Sequence, residues 1–269
     1  MPLSWMSFVT NGNEQSAKGE SESQACSQRC AVAMLFADDD GSYFSMALAL
    51  VTLSPILLMA SYAALAVQTR EFLIIVMWAG QLFGELLNWV MKRTIKQERP
   101  IESIGNGYGF PSSHSQYMAY FASFLMCHLY FRHRFSSTGS KLIDFLWRLV
   151  VYAALIGWAG LVAYSRYYLG YHNAYQILWG LAIGTTLGVS LYLISEAIPT
   201  RYPTSPLGRM KAAILNNPIV LWLQLRDGWA VWADGGREGE WLRWRKQFEA
   251  QQKSQNWEAK QKSLKQKAN

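Results

Sequence analysis

Apolar residues along this chain follow neither the stripes of a water-soluble helix nor the alternation of a half-buried strand; they come in blocks. Positions 1–43 are polar. Apolar runs dominate 44–196, and 197–269 is polar again, basic and rich in Trp. Five blocks stand out, near 44–68 (FSMALALVTLSPILLMASYAALAVQ), 72–91 (FLIIVMWAGQLFGELLNWVM), 115–131, 147–164 and 174–195. Their lengths are close to the roughly 20 residues that a helix needs to cross a bilayer. The third, SQYMAYFASFLMCHLYF, is the weakest, because it carries a Gln, a His and several small residues. The pattern predicts an all-α, polytopic membrane helix bundle of about five transmembrane helices. It divides the chain into a polar, disordered segment (1–43), a membrane domain (44–196) and a tail (197–269).

Half of the 269 residues are hydrophobic, and 25 Lys and Arg against 18 Asp and Glu leave a formal charge of +7. In the tail the basic residues alternate with acidic ones, which argues against a nucleic-acid partner. The stretch NNPIVLWLQLRDGWAVW (216–232) has an apolar run too short to span, and its Trp residues suit a membrane interface. The stretch 237–267 reads as a solvated helix. The N-terminus lacks the basic start, early apolar core and small-residue cleavage site of a secretory signal. Cys26, Cys30 and Cys127 show no metal-type spacing with His, so no metal, cofactor or disulfide framework is expected. Cys127 falls inside the third block, as packing.

Charge also orients the bundle. Five spans place the N-terminal segment, the 92–114 loop and the 165–173 loop on one side, with 7 Lys and Arg; the other side holds the remaining 18 of 25. Short loops weigh most in the positive-inside rule, and 132–148 alone offers Arg132, Arg134, Lys141 and Arg148. The C-terminus and that loop are therefore expected in the cytosol, with 92–114 and 165–173 translocated. Basic residues resist translocation, so Lys92, Arg93, Lys96 and Arg99 on a translocated loop point to an anion held there.

That loop reads KRTIKQERPIESIGNGYGFPSSHSQ; the second translocated loop lies within YSRYYLGYHNAYQ. Taken singly, Lys92 and Arg93 can snorkel at a helix end, Ser112 and Ser113 can cap a helix, Arg166 can anchor at an interface and His172 can start a helix. Together on one membrane face they offer phosphoryl transfer. Lys92, Arg99 and Arg166 can neutralise phosphate oxygens, the arginines with planar paired donors. The start of the third span adds backbone N–H groups and a positive dipole end, and Ser112 adds a hydroxyl. Of the two histidines, His114 and His172, one can attack phosphorus while the other handles the proton. His128 lies 14 residues beyond His114, about 21 Å along a helix, and is excluded from the site; His133 falls on the cytosolic side.

Lys92-x6-Arg99-Pro100, Pro111-Ser112-Ser113-His114 and Ser165-Arg166-x5-His172 resemble the three signature motifs of the type 2 phosphatidic acid phosphatase and haloperoxidase superfamily. The resemblance covers roughly 44–196. It implies that His172 is a nucleophile forming a phosphohistidine, that His114 is the general acid and base, and that Lys92, Arg99, Ser112, the Ser113 amide and Arg166 hold the phosphoryl group. Many members carry Asp four residues after the nucleophile; here it is Gln176. Gln can orient the ring without stabilising an imidazolium by charge, which suits a good leaving group such as a phosphate monoester. PSSHSQ, Gln176 and GQLFGELLNW are similar to the dolichyl diphosphatase subgroup. That similarity implies a multi-pass protein of the endoplasmic reticulum membrane, with a lumenal site and dolichyl diphosphate as its lipid partner, serving protein N-glycosylation. A broader lipid phosphate phosphatase acting on phosphatidate or sphingoid phosphate, a lipid phosphotransferase and an inactive scaffold are the alternatives. Glu85 sits inside the second span, where carboxylates usually mark function. Its spacing to Asn88 and Lys92 suggests that it orients Lys92 or Arg166.

Overall fold

The computed structural model describes residues 42–99, 107–133, 135, 139–232 and 234–268, and the described residues are helical almost throughout. The expected disordered segment, with Cys26 and Cys30, lies outside them apart from its last two positions. The first apolar block is split into α1 (Ser42–Val51) and α2 (Ser54–Thr69). Pro55 fits the first turn of α2, where its missing N–H costs nothing. The Ser54 hydroxyl donates to the Val51 carbonyl and accepts from Trp158 Nε1 at 3.1 Å, tying the break to a neighbouring helix. Then come α3 (Phe72–Ile95), α4 (Ser113–Phe131), α5 (Lys141–Tyr168) and α6 (Ala174–Tyr192).

Four of these segments are long and apolar enough to cross a membrane: Tyr43–Thr69, Phe72–Ile95, Lys141–Tyr168 and Ala174–Arg201. Helix α4, the third block, falls short of that measure because it occupies the bundle centre, packed against α3, α5 and α6. Its Ser115, Gln116, Tyr117, Met118, Tyr120, Phe124 and His128 are all buried. A helix shielded by other helices can carry polar groups provided each finds a partner. Gln116 does so twice, accepting from Asn88 Nδ2 at 2.8 Å and donating to the Gly84 carbonyl at 2.7 Å. The Tyr120 hydroxyl donates to the Met77 carbonyl at 2.9 Å.

The closest helix pair is α4 with α6. Gly180, Gly184 and Gly188 recur every four residues on α6 and face α4 directly. A Cβ at Gly184 would stand 2.1 Å from the Gln116 carbonyl oxygen, and one at Gly188 2.1 Å from Ser123 Oγ. This is the small-residue spacing that lets membrane helices approach backbone to backbone.

At the end of the bundle away from the site, a π-turn (Leu193–Ala197) leads into α7 (Ile198–Arg201), α8 (Pro206–Leu215), α9 (Pro218–Trp222) and α10 (Gly228–Val231). These short helices form a strap packed on the bundle. Lys211 Nζ lies 2.9 Å from Glu196 and 2.7 Å from Asp227, all three nearly inaccessible. Arg226 pairs with Glu71 at 2.7 Å and with Glu240 at 2.8 Å, and the Gly228 N–H donates to Glu71 Oε2. His128 sits edge-on to Trp229, 4.6 Å between centroids, at the opposite end of α4 from His114. The tail ends in α11 (Arg237–Ala268), exposed over 237–254, as expected of a solvated helix. Within the stretch 216–232, Arg226 and Asp227 join this ion-pair network, while Ile219, Leu221 and Trp222 stay exposed.

Candidate active site

Three chain segments meet at one end of the bundle: the last turn of α3 with the residues after it, the start of α4, and the α5–α6 connection. Helix α3 ends in Lys92 and Arg93, with Lys96 as a left-handed cap (φ 51°). The left-handed turn redirects the chain, and Gly109 N–H then donates to the Gln97 carbonyl at 2.7 Å. Helix α4 begins behind Ser112, whose N–H donates to the Gln176 carbonyl at 3.1 Å. Gly170, at φ 70°, provides the bend between α5 and α6. His172 N–H donates to the Arg166 carbonyl, and Asn173 caps α6 by accepting from Gln176 N–H at 2.9 Å.

These turns gather the cations around the two imidazoles. His114 lies within electrostatic reach of Arg166, His172, Lys92 and Arg99, and His172 within reach of Arg166, Arg99 and Lys92. No carboxylate within 4 Å pairs with Lys92, Arg99 or Arg166 among the described residues. Arg99 Nε and Arg166 Nε are buried without a hydrogen-bond partner, and the Arg166 guanidinium lies 3.9 Å over the Tyr171 ring. Three cations that no described carboxylate pairs with make a site of strongly positive potential, suited to an anion.

His172 is nearly inaccessible, and its Nδ1 lies 3.1 Å from Gln176 Oε1. The Gln176 amide can take only one orientation. Its Nε2 faces the Glu98 carbonyl at 3.0 Å, an acceptor only, so Oε1 faces the imidazole and must accept. Nδ1 therefore carries the proton and Nε2 the lone pair. Burial is the main cause holding the His172 pKa down, at about 4. The Gln176 bond pulls upward, and the Arg166, Arg99 and Lys92 charges push further down. The ring is neutral at pH 7, as a nitrogen nucleophile requires.

Lys92, Arg99, Arg166, His114, His172 and Gln176 thus stand together. Ser113 starts α4, where first-turn N–H groups have no intrahelical acceptor. Ser112, expected to add a hydroxyl donor, is fully buried directly before α4, with Oγ 3.0 Å from Ser115 Oγ. Glu85 and Asn88 also part company. Asn88 turns into the bundle toward Gln116, whereas Glu85 stays on an open flank of α3, within electrostatic reach of Lys92 but without an ion pair to it. Gly109, absent from the sequence expectations, is part of the site. A Cβ there would come within 2.7 Å of Gln176 Nε2 and 3.0 Å of Arg99 Cγ. Its only signal in the sequence was a Gly two residues before the Pro-Ser-Ser-His run.

The model of the PAP2 superfamily matches residues 72–199, the stretch that contains every residue named above. Among curated proteins, the chain is similar to the putative dolichyldiphosphatase of Neurospora crassa: 31% identity over 250 residues, covering 71% of this chain and 86% of that protein. Dolichyldiphosphatase 1 of Dictyostelium discoideum is 36% identical over 189 residues, 68% of this chain and 76% of that one. Dolichyldiphosphatase 1 of Mus musculus is 34% identical over 157 residues, 57% of this chain; the match spans 66% of the mouse protein's length, just under two thirds. The chain belongs to the PAP2 superfamily. Within that superfamily, these relatives are dolichyldiphosphatases.

Proposed function

We propose that this protein hydrolyses the terminal phosphate of a polyprenyl diphosphate, dolichyl diphosphate, giving dolichyl phosphate and inorganic phosphate. The single observation that carries the reading is the His172–Gln176 pair inside a cage of unpaired cations. His172 Nε2 attacks the terminal phosphorus in line. The bond from phosphorus to the bridging oxygen breaks, and its electron pair stays with the departing lipid phosphate, which takes a proton from His114. Burial and the surrounding cations hold that imidazole down at about 4 in the empty site, and the substrate's negative charge offsets the cations and lets it carry the proton. Lys92, Arg99 and Arg166, with the first-turn amides of α4, stabilise the charge on the transferring group. Water then attacks the phosphohistidine, gives its proton to His114 and releases phosphate. Gln176 orients the ring without a charge. The imidazole stays weakly basic and is matched to a phosphate monoester, a better leaving group than the alkoxide of a monophosphate lipid. Glu85 would steady Lys92 from the flank.

The charge pattern of the loops supports a translocated site, with the strap and α11 in the cytosol, and the similarity to dolichyldiphosphatases supports the endoplasmic reticulum membrane, with that site facing its lumen. Recycling of the carrier lipid for protein N-glycosylation is the matching role. The test is phosphate release by the purified chain in detergent with a chelator present. Dolichyl diphosphate, dolichyl phosphate and phosphatidate are offered side by side. Release from the diphosphate, strongly preferred and abolished by His172→Ala, is expected; a preference for phosphatidate would refute the substrate assignment.

A further inference from the structure

We infer that Arg93 and Lys96 form a second phosphate subsite that receives the lipid-linked phosphate of a diphosphate substrate while the inner cations hold the phosphate being transferred. The inference rests on the diphosphatase reading and names what in this chain would select a diphosphate.

A cavity of about 690 Å³ opens beside the catalytic residues, lined by Trp89, Lys92, Arg93, Lys96, Arg99 and Tyr108. Two of its cations, Lys92 and Arg99, also face inward, within electrostatic reach of His172. The other two, Arg93 and Lys96, are exposed where Lys92 and Arg99 are half-buried. The four cations therefore form an inner and an outer pair along one wall. Nothing among the described residues neutralises the outer pair; no ion pair joins Arg93 or Lys96 to a carboxylate. Arg93 is nevertheless positioned, its guanidinium lying 4.2 Å over the Trp89 ring. Lys96 is fixed by its left-handed backbone, with its N–H donating to the Lys92 carbonyl at 3.1 Å.

A monophosphate lipid presents one anionic group, which the inner pair and Arg166 can hold. A diphosphate presents a second anion next to the first, covalently bound to it and pointing away from the nucleophile. That second group becomes the leaving group, and its negative charge grows as the bridging bond breaks. Donors aimed at developing charge act more strongly in the transition state than in the ground state. Trp89 and Tyr108, both half exposed at the cavity wall, offer apolar surface beside the outer pair, where the first carbons of the lipid would emerge.

The test is a binding titration that needs no turnover. The 269-residue chain in detergent is titrated with methylenediphosphonate, a bis-anion that cannot be cleaved, and with orthophosphate. The wild-type chain is expected to prefer the diphosphonate by at least about 10-fold, since each charge-assisted contact changes affinity by roughly that factor. The variant Arg93→Gln/Lys96→Asn is expected to lose that preference, and Arg93→Lys to restore part of it; Asn suits the left-handed backbone at 96. An unaltered preference in the double variant, or no preference in the wild type, would overturn the subsite. Phosphate release from dolichyl diphosphate is read separately, so failure of the substrate assignment leaves a different signature from failure of the subsite.

Discussion

The His172 Nδ1–H donates to Gln176 Oε1 at 3.1 Å, and the Gln176 Nε2 donates to the Glu98 carbonyl at 3.0 Å. One amide thus fixes the ring tautomer and ties it to the loop that carries Arg99. Gln176→Leu removes the acceptor from a buried donor and frees the tautomer. Turnover should fall on the order of 10²-fold, with little change in KM, because phosphate binding rests on other groups. Gln176→Glu should instead keep an acceptor on the ring and raise its basicity, at the cost of the donor to the Glu98 carbonyl. The acid limb of the pH–rate profile should then move up by about one unit or more.

The wild-type pH profile follows from the depressed His172 value. Attack needs the neutral imidazole, so the acid limb of kcat/KM for the free enzyme should lie near pH 4 rather than near 6.5. Stability carries the same sign. The unfolded chain binds this proton first, so stability should decline as pH falls from about 6.5 toward 4. A pH–rate profile and a melting series in detergent check both; an acid limb at or above 6.5 would contradict the burial of the ring.

Gly109 has room for no side chain, because a Cβ would stand 2.7 Å from Gln176 Nε2 and 3.0 Å from Arg99 Cγ. Gly109→Ala must displace one or both. Turnover should drop by about 10-fold or more, a larger effect than the loss of melting temperature, since the atoms that a Cβ would crowd belong to Gln176 and Arg99 of the site. Equal losses in stability and turnover would place Gly109 in the fold rather than the site.

Between α4 and α6 the constraint is structural. Gly184→Ala sets a methyl 2.1 Å from the Gln116 carbonyl oxygen, backbone against side chain. Relief requires the two helices to separate, at a cost of about 1–3 kcal/mol. The separation would also disturb Gln116, which bridges Asn88 and Gly84. Both melting temperature and turnover should fall.

At the far end, Lys211→Met leaves Glu196 and Asp227 buried without their cation. Removing one partner of a buried ion pair destabilises by about 3–5 kcal/mol. Loss of the folded fraction in detergent is the expected readout, with turnover per folded molecule kept, because the ion pair sits at the end of the bundle opposite His172.

The apolar helices and the three motifs that meet at one end of the bundle were legible because both are local signals: long apolar blocks, and fixed spacings such as Lys92 to Arg99 or Arg166 to His172. Even the weak third block was a helix; its polar residues were a mark of central burial rather than of a loop. What escaped were relationships between distant positions. Gly180, Gly184 and Gly188 have the right spacing for close packing, but nothing in the sequence names Gln116 and Ser123 as what they approach. Lys211, Glu196 and Asp227 look like ordinary surface charges until the strap folds back on the bundle. Glu85 and Asn88 share a helical quadrant in sequence, yet the neighbouring helix buries one and leaves the other on an open flank.

The most direct measurement is a rapid quench of the purified protein within its first turnover of dolichyl diphosphate radiolabelled in the terminal phosphate. A label that is acid-labile and alkali-stable, mapped to His172 and missing from His172→Ala, is the expected result, together with a loss of release of about 10³-fold or more in that variant. Release at the wild-type rate from His172→Ala, or turnover with no label on the protein, would contradict a phosphohistidine at His172.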